Sequence, residues 1–236
     1  NKDVSAVQRA IRDNPGKRAV IVTDALFSVD GDLAPLEQLA EVAEAHDAVL
    51  VVDEAHSLGV LGDTGEGACA AAEIDHEHLV RTFTLSKALG SQGGGVAASE
   101  PVIEHLINSA RTFIFDTGLA PAAVGSALAA TTTVLSRPDL PALARAATDN
   151  LADIAEHAGW QPNPHDAAVA SIPVGTPAQA VRAQQVCARE GVDVGCFRPP
   201  SVPDGIARLR MTGHADLTDD DLNLVEKALR AAREAT

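Results

Sequence analysis

Along the first hundred residues, short β-branched runs alternate with amphipathic stretches of helical period, a pattern that predicts a mostly parallel sheet flanked by helices. Residues 4–12 read as a helix stopped at Asn14-Pro15-Gly16, residues 19–23 as a strand, and residues 35–45 as a helix with proline in its first turn. Residues 48–53, Ala-Val-Leu-Val-Val-Asp, stay apolar up to a terminal acid, as expected of a strand buried on both faces. Residues 80–84 form the next expected strand, and residues 96–98 another, behind a glycine run. After Pro101 the texture changes to alanine-rich helices, about 101–111 and 120–135, broken at Arg137-Pro138. The domain boundary is expected there, with residues 1–136 before it and residues 137–236 after it. The second part reads as a small α+β domain: helix 139–158, strand 169–174, helix 177–190, strands near 192–196 and 208–211, and a last helix at 218–234.

Composition narrows the partners. Hydrophobic residues make up 46% of the 236 and charged residues 22%, and no apolar run approaches the roughly 20 residues that cross a bilayer, so the chain reads as globular with no membrane partner. A net charge of −15 argues against nucleic acid and anionic membrane surfaces, which repel an acidic protein, and an anionic substrate needs a local cationic pocket. Cys69, Cys187 and Cys196 match neither a zinc site nor a disulfide framework, which points to idle thiols and a cytoplasmic location. No signal peptide is visible, but the start at Asn1-Lys2-Asp3 lacks a methionine, so this says little about targeting. His76-Glu77-His78 lacks a third ligand and the spacing of a metal pair, so no metal is expected.

In open α/β sheets ligands sit at the carboxyl ends of the strands, so polar residues following apolar runs carry the candidate chemistry. Three places stand out: Ser28-Val29-Asp30-Gly31-Asp32, Asp53-Glu54-Ala55-His56, and Thr84-Leu85-Ser86-Lys87-Ala88-Leu89-Gly90 with Gly93-Gly94-Gly95 behind it. An acid at a strand end, a histidine three residues on and a lysine beside glycines form an acid, base and amine-nucleophile set. Taken singly, Asp53 also suits a turn cap, His56 a core position and Lys87 a solvated loop.

The segments 27–36 (Phe-Ser-Val-Asp-Gly-Asp-Leu-Ala-Pro-Leu), 52–56 (Val-Asp-Glu-Ala-His) and 84–90, then 113–121, Arg198-Pro199-Pro200-Ser201-Val202-Pro203 and Arg208-Leu209-Arg210, resemble the α-oxoamine synthases, and stand in that family's order. The likeness runs from about residue 18 to the end. It implies a fold-type I enzyme dependent on pyridoxal 5′-phosphate (PLP), with residues 1–136 as the C-terminal part of the large cofactor domain. The last two motifs most resemble the member that joins L-alanine to a pimeloyl thioester in biotin biosynthesis, releasing carbon dioxide and a free thiol.

Residue by residue, the resemblance makes Lys87 the Schiff-base lysine and general base. It makes Asp53 the partner of the protonated pyridine nitrogen, with His56 and Ser28 near the 3′ oxygen or the substrate. Thr84, helped by Ser86, would contact the cofactor phosphate, and turn chemistry is the competing reading for both. Thr117 would reach the phosphate in a neighbouring subunit, which implies a homodimer with shared sites. Arg210 would anchor the amino acid carboxylate and Ser201, where the family usually has threonine, would contact substrate. Strict strand alternation puts Arg208 and Arg210 on one face, and Arg208 is read as structural. Glu66 departs from the arginine that relatives commonly carry, and reads as a solvated side chain. The family's upstream glycine-rich loop, with its aromatic residue and histidine, has no counterpart in these residues. Other α-oxoamine synthases using glycine or serine, and a non-catalytic subunit on the same fold, are the competing functions; the complete Lys87 motif counts against the second. A dinucleotide-binding fold is disfavoured because no Gly-x-Gly-x-x-Gly follows the first strand.

Overall fold

The computed structural model describes residues 2–74, 77–202 and 204–236. Asn1, Asp75, His76 and Pro203 lie outside the described residues, so the His76-Glu77-His78 run and the Val202-Pro203 pair are placed only in part. The chain divides into two compact units, one of residues 1–26 and 33–138, the other of residues 27–32 and 139–236. A single boundary near residue 137 does not foresee that Phe27–Asp32 groups with the second unit.

The first unit runs α1 (Val4–Arg12), β1 (Val20–Asp24), α2 (Leu36–Ala45), β2 (Val49–Asp53), α3 (Ala68–Ala71), β3 (Leu79–Thr84), β4 (Gly94–Ala97), α4 (Glu100–Ser109), α5 (Arg111–Ile114) and α6 (Pro121–Ser136). Its sheet has the order β1-β2-β3-β4, with the first two pairings parallel and the last antiparallel. The fold is therefore α/β with a mixed sheet, and right-handed β-α-β logic places the three parallel strand ends at one edge. Helix α2 turns Leu36, Leu39, Val42 and Ala43 inward at helical spacing, and these pack in a core that includes Ile21, Leu50 and Val52.

Two expectations need correction. Strand β2 is buried on one face only: Leu50 and Val52 are buried, while Val49, Val51 and Asp53 are partly accessible. On β1 the face opposite Ile21 keeps Val20 at 61% and Val22 at 72% exposure. A continuous apolar run reports what a strand tolerates on both faces, not what covers it. Strand β4 also begins inside the glycine run, because Gly95 pairs with Phe83 and a side chain at Gly95 would meet the Phe83 ring at 2.5 Å. Glycine's low strand propensity hid a close approach that requires it.

The second unit contains α7 (Leu140–His157), β5 (Val169–Gly175), α8 (Pro177–Arg189), β6 (Gly195–Phe197), β7 (Ala207–Thr212) and α9 (Asp219–Glu234). Its antiparallel sheet has the order β5-β7-β6. Ile172 and Leu209 from the sheet, Leu151 and Ala155 from α7, Ala183 from α8 and Leu229 from α9 form its core, and the Trp160 indole N–H donates to the Leu229 carbonyl at 3.0 Å. Thr176 and Thr218 cap α8 and α9 with reciprocal side-chain bonds to Gln179 and Asp221. Strand β6 starts later than its sequence suggests, at Gly195, because Val192-Asp193-Val194 precede the pairing to β7. Among the described residues no helix is long and apolar enough to cross a membrane.

Candidate active site

In the first unit the parallel register sets Asp24 beside Asp53 at the ends of β1 and β2, and Asp53 beside Thr82 on β3. Paired residues on neighbouring parallel strands point to the same face, so two carboxylates stand together. Asp53 accepts a hydrogen bond from the Ala55 N–H at 2.8 Å, which starts the turn that carries His56. Ser57 N–H and Leu58 N–H close that turn on the Glu54 carbonyl, at 3.1 and 3.0 Å. His56 is half-buried.

Lys87 lies in the loop between β3 and β4 and is exposed. The loop is closed by its own backbone: Leu85 N–H donates to Gly93 O at 2.9 Å, Ser91 N–H to Leu85 O at 2.8 Å, and Gly90 N–H to Lys87 O at 2.9 Å. The Thr84 hydroxyl lies 2.7 Å from the Ser86 hydroxyl and 3.1 Å from the Gly93 carbonyl, and accepts from the Ser86 N–H at 3.2 Å. The turn reading of Thr84 and Ser86 is the one seen, a turn that gathers two hydroxyls and an N–H. Gly59, at φ +80°, abuts Ala88 so closely that a side chain there would come within 2.6 Å of the Ala88 methyl. Only glycine lets the His56 turn and the Lys87 loop pack this way.

Asp24 was missed by the sequence reading although it ends an apolar strand. Its carboxyl is pushed above the usual range, first by loss of water, then by the neighbouring Asp53 charge, and the Lys87 ammonium partly offsets both. Asp24 therefore lies within reach of both the Asp53 and the Lys87 charge. Glu54 was also missed: it is 3% exposed, accepts from the Ser57 hydroxyl at 2.9 Å, and has its other oxygen 3.8 Å from the Arg81 guanidinium. Burial beside this carboxylate also pushes the Cys69 thiol well up, so Cys69 is inert, as its idle reading expects. Glu66 is exposed but not merely solvated, since its carboxylate accepts from the Thr64 N–H and hydroxyl at 3.0 and 2.6 Å. Thr117 sits in an exposed segment with Phe113 at 64%, Phe115 at 72% and Leu119 at 45% exposure.

The second unit holds Ser28, Ser201 and Arg210. Arg210 donates to the Ser28 carbonyl at 2.7 Å and lies over the Phe197 ring, 4.9 Å from its centre. Burial lowers its pKa, and it stays a cation. Ser201 is exposed, with its N–H on the Arg198 carbonyl at 2.9 Å. Arg208 and Arg210 face the same side of β7, pairing with Pro173 and Ser171 of β5 without a shift between them. Among the described residues no cluster of histidine, cysteine or acidic side chains has the makings of a metal site.

A family model, aminotransferase class I and II, matches residues 1–229. The chain belongs to the aminotransferase class I and II family. Within it, the chain is 48% identical to the 8-amino-7-oxononanoate synthase of Mycobacterium sp. (strain JLS) over 97% of its own length and 59% of that protein's. It therefore spans about three-fifths of the length of the curated relatives it matches. Among solved structures it superposes on one described as SPT with PLP internal aldimine, with a TM-score of 0.93 and 26% identity, covering 100% of this chain and 60% of that one. The 8-amino-7-oxononanoate synthase from Francisella tularensis gives a TM-score of 0.81 at 27% identity, covering 99% and 67%. These family members share the α/β architecture described above.

Proposed function

We propose that this chain is part of a PLP-dependent acyltransferase, an 8-amino-7-oxononanoate synthase, which condenses L-alanine with a pimeloyl thioester and releases carbon dioxide and the free thiol. The observation that carries the reading is the strand-end set of the first unit: two neighbouring carboxylates, the Lys87 amine whose charge reaches Asp24, and the Thr84–Ser86 turn. PLP presents an aldehyde, a basic ring nitrogen and a phosphate, and this set supplies an amine, an acid and hydroxyl and N–H donors, so the donor chemistry fits. When bound, PLP supplies an electron sink for the charge that develops at the amino acid's α carbon.

The chain's own residues do the rest. Lys87 Nζ would hold the cofactor through its aldehyde carbon and, once the amino acid's own amine has displaced it from that carbon, would be the free amine placed to take the α proton. Asp53, with Asp24 beside it adding negative charge, keeps the ring nitrogen protonated. His56 and Ser28 serve the 3′ oxygen or the substrate, and the Thr84 and Ser86 hydroxyls serve the phosphate. Arg210 grips the alanine carboxylate and Ser201 contacts the acyl substrate. Thr117, in its apolar exposed segment, is assigned to a partner's site, so the working protein is a cytoplasmic homodimer with shared sites. The boundary between cofactor domain and small domain is placed at residues 136 and 137.

The test is a visible absorbance spectrum of the PLP-treated full-length protein with a matrix of amino acids and acyl thioesters. A cofactor band that Lys87→Ala abolishes, and turnover confined to alanine with a pimeloyl thioester, is the expected result. An aldimine band that Lys87→Ala still shows before any amino acid is added withdraws the lysine. Turnover with glycine or serine instead moves the protein to another branch.

A further inference from the structure

Arg208 was read from sequence as scaffold, and its surroundings give it a more definite task. The side chain is buried, and each of its five N–H groups has an acceptor. Nε donates to Asp30 Oδ1 at 2.7 Å and Nη2 to Asp30 Oδ2 at 3.3 Å, a bidentate grip. Nη1 and Nη2 donate to Asp204 Oδ1 and Oδ2, both at 2.8 Å, a second bidentate grip. The remaining Nη1 proton goes to the Ile206 carbonyl at 2.7 Å.

The two acids belong to different segments. Asp30 lies in Phe27–Asp32, the stretch that joins the second unit. That stretch is folded on itself, with Phe27 N–H on Asp32 O and Gly31 N–H on Phe27 O, both at 2.9 Å, and Asp30 Oδ1 also accepts from Asn163 Nδ2 and the Ser171 hydroxyl, both at 3.0 Å. It presents the Ser28 carbonyl on which Arg210 rests. Asp204 stands three positions after Ser201, with Pro203 between them outside the described residues, and its Oδ1 also accepts from the Ile206 N–H at 3.0 Å.

We infer that Arg208 is a positioning residue with two separable arms: through Asp30 it sets Ser28 and so the aim of Arg210 at the amino acid carboxylate, and through Asp204 it sets the Ser201 stretch that meets the acyl thioester. The substrate assignments rest on the proposed function; the two arms do not. A planar guanidinium is suited to this because it can hold two carboxylates in fixed relative orientation, which a lysine point charge cannot.

The experiment compares Asp30→Asn, Asp204→Asn and Arg208→Lys by amide hydrogen exchange without substrate, and by steady-state kinetics of the PLP-loaded full-length protein. Each asparagine turns an amide NH2 toward the guanidinium or gives up a charged hydrogen bond, so exchange in the affected segment should rise on the order of tenfold or more. Asp30→Asn should speed exchange at Phe27 and Gly31 and raise the KM for the amino acid. Asp204→Asn should speed exchange at Ser201 and Ile206 and raise the KM for the acyl thioester, and Arg208→Lys should do both. If either asparagine variant loosens both segments alike and raises both KM values together, Arg208 is scaffold and the inference fails; it fails too if neither segment moves. A wild-type protein that turns over neither substrate while the variants keep their segment-specific exchange refutes the functional reading and leaves the two arms standing.

Discussion

Replacing Arg210 by lysine asks whether that side chain binds a ligand. In the structure it donates one N–H to the Ser28 carbonyl at 2.7 Å and stacks over Phe197 at 4.9 Å. Among the described residues one of its five N–H groups is thus used, and enough remain for a bidentate grip on a carboxylate. A lysine ammonium satisfying Ser28 can offer the carboxylate a single bond and loses the flat stack on the ring. The lost charged hydrogen bond is worth about 1.5–3 kcal/mol. The lost cation–π contact adds about 0.5–1 kcal/mol. Together these make roughly 2–4 kcal/mol, and with about 1.4 kcal/mol per factor of ten, kcat/KM for alanine should fall roughly thirtyfold to several-hundredfold. The acyl donor's KM should change little, and PLP should stay bound. The assay titrates each substrate against the variant at saturating levels of the other, next to a melting curve. Equal effects on both substrates with a lowered melting temperature would refute the carboxylate role.

Three other outcomes are expected. Ile172→Ala removes a fully buried side chain from the core of the second unit and should cost about 2–5 kcal/mol in urea unfolding; a loss under about 1 kcal/mol would mean that this core is looser than described. Glu54→Ala should cost about 1–3 kcal/mol by leaving the Ser57 hydroxyl without its acceptor, whereas Glu54→Gln, which keeps an acceptor and buries no charge, should cost less; the reverse order in denaturation would show that the Arg81 pairing dominates. The Arg208 guanidinium bonded to Asp204 holds that carboxyl down, from an ordinary value of 3.8 to about 2. A depressed folded-state value means the contribution is complete above about pH 4 and lost as pH falls toward about 2; Asp204→Asn should flatten the stability profile in that window, and an unchanged slope would separate Asp204 from the acid response.

How much was legible in the sequence depended on whether the information was local. The strands ending at Asp53 and Thr84, the helix pairing Leu36 with Leu39 and Val42, and the break at Pro138 are periodic or punctuated, and they stand within a residue or two of where they were expected. Asp24 was within reach of the same rule that found Asp53, an acid closing an apolar run, but lay outside the motifs that drew attention. The Gly95 strand and the late start of β6 depend on what lies across the sheet, which no single-strand pattern contains. The transfer of Phe27–Asp32 to the second unit rests on Asp30 meeting Asn163, Ser171 and Arg208, partners more than 130 positions away, and no local propensity encodes such a meeting.

The two arginines of β7 show how counting donors separates roles that sequence spacing cannot. They share a face, a charge and a strand, and Arg-Leu-Arg gives no reason to treat them differently. Arg208 has all five N–H groups engaged by groups of the same unit, so nothing is left for a ligand, and removing either acid would leave part of a buried guanidinium without its acceptors. Arg210 has committed one hydrogen bond among the described residues, and its other nitrogens are not among the buried unpartnered atoms, so they stay open to a ligand. The acids divide the same way. Asp30 Oδ1 alone accepts three hydrogen bonds, whereas among the described residues Asp53 accepts one, from the Ala55 N–H. Saturated groups hold the backbone in place, and Asp53 and Arg210, which keep capacity among the described residues, are the groups to which the proposed function gives a ligand.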